Sequence, residues 1–432
     1  MARQPADVLN PGVRRREVFA WAMYDFANSG YTTVVLTAVF SAYFVGVVAD
    51  GAPWATFAWT ASLSLSYAIV MLSMPFLGAW ADRRAAKKRL LALSTVGCVL
   101  TTAALSQVGP GAVVLGIVLI VLSNVFYSWG ESLVAAFLPE LAQPQALGRV
   151  SGWGWSFGYL GGMLALGLSL MVVLRDKAAG LSAAQFVPKT MWITAVVFGV
   201  SALVTFVWLK ERARPLTEEG AGGSGKAWRQ LNATFREARR YRDFMWLMAC
   251  AVAYQAGVAV TIALAAIYAE QVIGFAQQET MVLIFVLNIA AALGAFVFGH
   301  WQDRIGHRRA LGLTLAGWVL TCVIAAVTTT KGGFWYAAAI AGVCMGSSQS
   351  AGRALAGLFA PPAQLAEFYG LWTFAIRLAS IVGPLTYGLI TWGTGGNQRL
   401  AILATAGMFV AGWVLLQKVD VERGRQAAIT AS

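Results

Sequence analysis

Charge is what this chain has least of. Only 12% of its 432 residues are Asp, Glu, Lys or Arg, while 58% are apolar. Soluble domains run at about 25% charged residues. So little charge cannot cover a water-facing surface, and a disordered chain would need still more polarity. An ordinary water-soluble enzyme is therefore excluded, and lipid is the remaining solvent. Histidine is nearly missing: His300 and His307 are the only two, too few for a zinc site. The four cysteines, Cys98, Cys250, Cys322 and Cys344, lie far apart inside apolar stretches. With no CxxC pair they read as small apolar fillers, not as disulfides or metal ligands. No triad of nucleophile, base and orienter is visible, so we expect neither an enzyme nor a cofactor, and no metal.

Long apolar runs are what the sequence has in plenty. A membrane helix needs about 20 apolar residues. Segments 17–46, 55–80, 90–107, 111–138, 148–174, 189–209, 244–270, 280–300, 310–328, 334–360, 368–393 and 398–417 meet that need or approach it, which makes twelve. The first follows Arg14-Arg15-Arg16 like a signal peptide. It is too long for an h-region, carries Asp25 and has no convincing cleavage site, so we read it as the first helix.

The basic residues are unevenly placed. With the N-terminus inside, inner segments hold 25 Lys and Arg and outer loops hold 5. The positive-inside rule then puts both termini in the cytoplasm, and we expect a bacterial cytoplasmic (inner) membrane. The same bias accounts for the net charge of +13 without nucleic acid. The division that follows is a cytoplasmic N-terminus (1–16), a first bundle (17–209), a linker (210–243), a second bundle (244–417) and a cytoplasmic tail (418–432). Within the linker, Gly220 to Gly225 is flexible, and a basic helix from Trp228 to Tyr241 is expected on the anionic leaflet. Gly220 to Lys226 imitates a phosphate loop, but Ala227 follows and no strand precedes. Asn232-Ala-Thr234 is a glycosylation sequon on the wrong side of the membrane.

The two halves repeat. Gly78-Ala-Trp-Ala-Asp82-Arg83-Arg84-Ala-Ala-Lys87-Lys88 matches Gly299-His-Trp-Gln-Asp303-Arg304-Ile-Gly-His-Arg308-Arg309 at an offset of 221. An offset of 222 aligns Pro139 with Pro361, Gly148 with Gly370 and Gly161 with Gly383. Features in the same order, both starting inside, imply parallel repeats about an axis along the membrane normal. The loop element resembles the signature loop of the major facilitator superfamily. Within that superfamily, Trp21-Ala-Met-Tyr24-Asp25-Phe-Ala-Asn28-Ser-Gly30-Tyr31 resembles the helix 1 signature of the autophagy-related vacuolar effluxer-like family. So do Phe137-Leu-Pro139-Glu140-Leu141, Ser151-Gly152-Trp-Gly154-Trp, Tyr159-Leu-Gly161-Gly162 and the stretch from Gln349 through Arg353 and Pro361 to Gly370. The resemblance implies an all-α membrane protein of twelve transmembrane helices in two six-helix bundles, and amino-acid efflux as in fungal members. One departure is Ala85, which stands where the second loop has Gly306.

A carboxylate at a helix end can cap a neighbouring helix and pair with arginine, so the loops read as gates. The resemblance places Asp82 near the start of helix 11 by Gly370, and Asp303 near the start of helix 5 by Arg149 and Ser151. Glu140 is expected to join Arg83. Gly78, Gly299 and Arg304 complete the gate set; a solvated charge run is the plainer reading. Gly154, Gly158 and Gly162 suit a sliding helix interface, or packing alone.

Four ionisable residues lie inside spans: Asp25, Glu131, Arg353 and Arg377. Such charges face a partner or a cavity. All four fall ~10–14 Å above the inner boundary at 1.5 Å per residue. Glu131 and Arg353 occupy equivalent positions in the two repeats. Three readings stay open: cross-half pairs that lock an inner gate, a site for a zwitterion, or fixed pairs within one half. Asp25 is placed in a helix break at Asn28-Ser29-Gly30. Tyr24, Asn28, Tyr31, Trp129, Tyr254, Gln255 and Gln349 are candidate cavity contacts. Asp25 and Glu131 are the candidates for proton coupling. We expect a monomeric, lipid-embedded transporter of a small polar or zwitterionic solute, working with protons by alternating access. Proton-driven export of drugs or amphiphiles is the alternative; a lipid flippase or non-transporting receptor is a rival of another class.

Overall fold

Lipid offers backbone N–H and C=O groups no partner, so each apolar run must satisfy them within its own helix. The computed structural model describes residues 8–213 and 241–430, and the described residues contain twelve long helices. The first bundle holds α1 (Arg15–Tyr31), α2 (Ala55–Arg84), α3 (Lys87–Ala104), α4 (Val113–Ala135), α5 (Leu147–Ala178) and α6 (Ala183–Trp208). The second holds α7 (Arg242–Tyr268), α8 (Gln277–Ile305), α9 (His307–Val327), α10 (Lys331–Phe359), α11 (Leu365–Gly393) and α12 (Gln398–Leu416). Of the stretches these helices form, 11 are long and apolar enough to cross a membrane. The remaining one, α10, has the length, but Gly346-Ser347-Ser348-Gln349-Ser350 and Arg353 make it polar. The expected linker helix, the phosphate-loop imitation and the sequon lie outside the described residues.

The repeat is visible in how the backbones meet. A Cβ on Gly161 of α5 would strike the Phe26 carbonyl of α1, and one on Gly383 of α11 would strike the Ala256 carbonyl of α7. Likewise a Cβ on Gly130 would meet the Tyr24 hydroxyl, and one on Gly352 the Tyr254 hydroxyl. The same helix pairs thus approach through the same positions in both bundles.

One expectation needs correction. The helix does not break at Asn28-Ser29-Gly30; α1 runs regularly to Tyr31, and the wider π-helical turns begin after it at Thr32–Ala38. Ser29 and Gly30 are small because α5 presses on them: Gly158 would meet Ser29 Oγ, and Gly30 faces Ala165. Of the two readings of the α5 glycine file, packing alone is the one its contacts fit at Gly158 and Gly162. Gly158 and Gly162 pack on α1 of their own bundle, while the contact with α8 of the other bundle is made at Gly152.

The halves meet through α2 on α11, α5 on α8 and α5 on α10. The hydrogen bonds joining them gather at the end that carries the two signature loops, here called the basic end, and in the layer just above it. That end is closed. After α12 the tail forms α13 (Val421–Thr430), which the reading of 418–432 as a plain tail had not foreseen. It docks on the second bundle: Arg423 grips Asp243 through Nε (2.7 Å) and Nη2 (2.6 Å), and Gly424 lies on Phe359.

Candidate functional site

The gate is built from helix ends. α5 and α11 start at N-caps, Ala146 and Gln364, that give no side-chain cap. Their first amide N–H groups need acceptors from elsewhere. Asp303 of the second half supplies them to α5: Oδ1 accepts from Gly148 (3.0 Å) and Oδ2 from Arg149 (3.1 Å). Asp82 of the first half supplies them to α11, accepting from Glu367 (2.9 Å) and from Ala366. Each carboxylate thus serves the same two helical positions on the opposite half. The Arg149 guanidinium adds a contact at 3.7 Å to Asp303. Gly78 lets α2 reach the Ala366 carbonyl, and Gly299 lies on Gly148 and Gly152. Arg83 and Arg304 are exposed. Glu140, expected beside Arg83, is held by Lys87, whose Nζ also sits 5.1 Å over the Phe137 ring. Ser151, expected near Asp303, is engaged with Arg353 instead.

Above the gate, two ion pairs cross between the halves. Arg353 Nη1 donates to Asp25 Oδ2 at 2.7 Å, and Arg377 Nη2 donates to Glu131 Oε2. Their surroundings differ. Arg353 is 6% exposed and fully engaged: its Nε donates to Ser151 Oγ (3.1 Å) and its Nη2 to the Ser151 carbonyl (2.8 Å). Its guanidinium lies over the Trp21 and Trp155 rings, 4.7 and 5.2 Å from their centres. Gly154 leaves the room, since any Cβ there would collide with Asp25 and Arg353. Arg377 is less fully matched. Its Nε is buried with no hydrogen-bond partner, and the side chain of Glu131 is 33% exposed. The Tyr67 and Tyr127 rings flank the Arg377 guanidinium at 5.4 and 5.9 Å, and Tyr127 also bonds Glu131.

The remaining candidates divide into two groups. Tyr24 and Tyr31 are fully buried, with hydroxyls committed within the first bundle to Thr95 (2.9 Å) and Ser123 (2.8 Å). Trp129 donates to Ser73 (2.9 Å). Tyr24 and Tyr31 thus act as packing groups of the first bundle, while Trp129 is partly exposed. Gln255 donates to Gln349 (2.8 Å), and the buried Asn28 Oδ1 has no hydrogen-bond partner. Tyr254 is buried beside Gly352. Tyr67, Tyr127 and Glu211 do not stand out from the sequence, and Lys87 stands out only as one of the signature loop's basic pair. The first two lie in apolar spans, where an aromatic residue reads as packing. Glu211 lies where the linker begins and reads as solvated charge.

The comparisons follow this geometry. The family described as "Vacuole effluxer Atg22 like" matches residues 144–429, and the Major Facilitator Superfamily model matches residues 3–166. The uncharacterized MFS-type transporter YxiO of Bacillus subtilis is 25% identical over 93% of this chain and 94% of its own. Autophagy-related protein 22-1 of Penicillium rubens is 25% identical over 65% of this chain, which spans only 50% of that longer protein. Among solved structures, the proton:xylose symporter XylE superposes with a TM-score of 0.73 at 13% identity, covering 93% of this chain and 95% of that one. The human organic anion transporter MFSD10 gives 0.69 at 15% identity, covering 93% and 99%. At such identities the structures show the fold alone, two helical bundles. The chain is a multi-pass membrane protein and belongs to the vacuole effluxer Atg22-like family of the major facilitator superfamily.

Proposed function

We propose that the protein is a secondary active transporter of a small solute bearing a carboxylate and an ammonium group, coupled to protons. The supporting observation is that two acids of the first half meet two arginines of the second in one layer, directly above a closed gate. A guanidinium is suited to hold a carboxylate by paired hydrogen bonds, and an acid released from it can take an ammonium group or a proton. The matching family is described as a vacuole effluxer, which fits movement of a small solute across a membrane. The excess of Lys and Arg supports a cytoplasmic basic end, so the gate held by the two caps is read as the inner one.

Alternating access follows from the caps. Opening the basic end strips Asp82 and Asp303 from the helices they cap and parts both ion pairs. The solute's own charges offset the loss at the Glu131–Arg377 pair, whose glutamate is partly exposed. A thermal-shift screen of the purified protein against amino acids tests the reading, since a ligand stabilises by RT ln(1 + [L]/Kd). Stabilisation that Arg377→Ala abolishes supports it. Stabilisation that survives Arg377→Ala removes the carboxylate clamp.

A further inference from the structure

We infer that the two cross-half ion pairs have different tasks: Asp25–Arg353 is a clamp that sets the conformational state and does not contact solute, while Arg377, Tyr67 and Tyr127 form the subsite that binds the solute's carboxylate. The inference rests on the transport reading above and assigns its parts. The grounds are the unequal surroundings of two carboxylate–guanidinium pairs. Arg353 has its Nε, Nη1 and Nη2 engaged by three protein oxygens, and its Cζ lies over the Trp21 and Trp155 indoles at 4.7 and 5.2 Å. A solute reaching it would have to replace a carboxylate, a serine hydroxyl and a backbone carbonyl in a space that Gly154 leaves too small for a methyl group. A buried charge satisfied on every side is suited to hold one arrangement of the chain.

Arg377 offers the reverse. Its Nε–H has no acceptor, and its Nη2 is held by a glutamate that water reaches. Nε and Nη2 lie on one edge of the guanidinium, the edge a carboxylate takes with two parallel hydrogen bonds. A solute carboxylate on that edge satisfies Nε and displaces Glu131 from Nη2. The freed Glu131 keeps its bond from Tyr127 and becomes the acceptor for the solute's ammonium group or a proton. The Arg377 Cζ lies over both the Tyr67 and the Tyr127 ring, and these contacts restrain where its open edge points. Tyr67 is only partly buried, which makes it the wall that the solute's body meets.

The test separates the two tasks in the full-length protein. Ser132, buried at the inter-half contact where its hydroxyl donates to the Tyr369 carbonyl, is changed to Cys as a reporter for a water-soluble thiol reagent. The native cysteines are all buried. Asp25→Asn and Arg353→Lys are expected to raise the labelling rate about tenfold or more, the scale of a lost charged hydrogen bond. In the thermal-shift screen they should leave the affinity for the best amino acid within about threefold, a coupling cost and not a lost contact. Arg377→Lys and Tyr67→Ala should weaken that amino acid about tenfold or more, and Arg377→Lys should abolish discrimination against its carboxamide, since an ammonium lacks the forked edge. Labelling that is unchanged in Asp25→Asn overturns the clamp whatever the screen gives. Affinity that falls in Arg353→Lys and holds in Arg377→Lys overturns the assignment of the subsite. If no amino acid stabilises the wild-type protein, the zwitterion reading and the subsite fail together, and the labelling arm alone decides the clamp.

Discussion

Glu211 caps α3 from the far end of the first bundle: its Oε1 accepts from the Lys87 amide at 2.7 Å and its Oε2 from the Lys88 amide at 3.1 Å. Like α5 and α11, α3 begins at a residue, Ala86, that provides no cap of its own. Three helices at the basic end are thus completed by carboxylates distant in sequence. Two of the three caps cross between halves and one does not, which leads to different expectations. Losing a cap costs about 0.5–2 kcal/mol. Asp82→Ala and Asp303→Ala should therefore raise thiol labelling at Ser132→Cys by favouring the open basic end. Glu211→Ala should lower the thermal midpoint without raising that labelling. Equal labelling in all three variants would mean that the cross-half caps do not hold the gate.

Ala85 sits in the left-handed region, φ 48° and ψ 50°, where the chain leaves α2. A side chain there costs roughly 1–2 kcal/mol, part of which glycine returns as unfolded-chain entropy. Ala85→Gly is expected to stabilise the protein by about 0.5–1 kcal/mol, read as a higher thermal midpoint in detergent. The second loop already has glycine at the matching turn, Gly306 at φ 91°. Gly306→Ala should destabilise by more than the first substitution gains.

The Asp25–Arg353 pair predicts a non-additive mutant cycle. Arg353→Met leaves Asp25 buried without its partner, which costs about 3–5 kcal/mol. Adding Asp25→Asn should recover part of that loss, so the double variant melts above the single one. Gly154→Ala should destabilise by about 1–3 kcal/mol through overpacking against the same pair. A double variant no more stable than Arg353→Met would show that the two side chains are not coupled.

Proton coupling has its own readout. Flux of the amino acid found by the screen is measured in vesicles with and without an imposed pH gradient. Glu131→Gln is expected to remove the effect of the gradient, because the amide can neither take up nor release the proton. Asp25→Asn is expected to change the rate and keep the gradient effect. A gradient effect unchanged in both variants would exclude the two acids as the coupling groups.

Much of the fold could be read from composition. Apolar runs separated by basic loops mark the helices, and the recurring Gly78–Asp82 and Gly299–Asp303 elements mark the two halves. The intramembrane charges also stand out, because each is exceptional among its neighbours. Partnership does not stand out. Whether Asp25 meets Arg353 or Arg377 depends on how each helix is turned about its own axis, and apolar spans give weak signals of rotation. The packing role of Ser29 and Gly30 was hidden for a related reason. Weak helix formers mark a break in an isolated helix, whereas here they mark the place where α5 lies closest to α1. Tyr67 and Tyr127 were invisible because an aromatic residue in a span says nothing of what lies above its face.

The glycine contacts show a twofold frame, yet the charges mounted on it are not twofold: where the first repeat carries Glu131, the second carries Arg353. The midline of the protein is consequently polarised, with acids on one wall and guanidiniums on the other. A carrier with nothing bound would have to separate these opposite charges in order to turn toward the cell interior. Removing even one partner from such a buried pair typically costs ~3–5 kcal/mol. On the proposed reading, vacant turnover is thereby slowed, and a cargo that enters the Glu131–Arg377 pair lowers the cost of parting the walls.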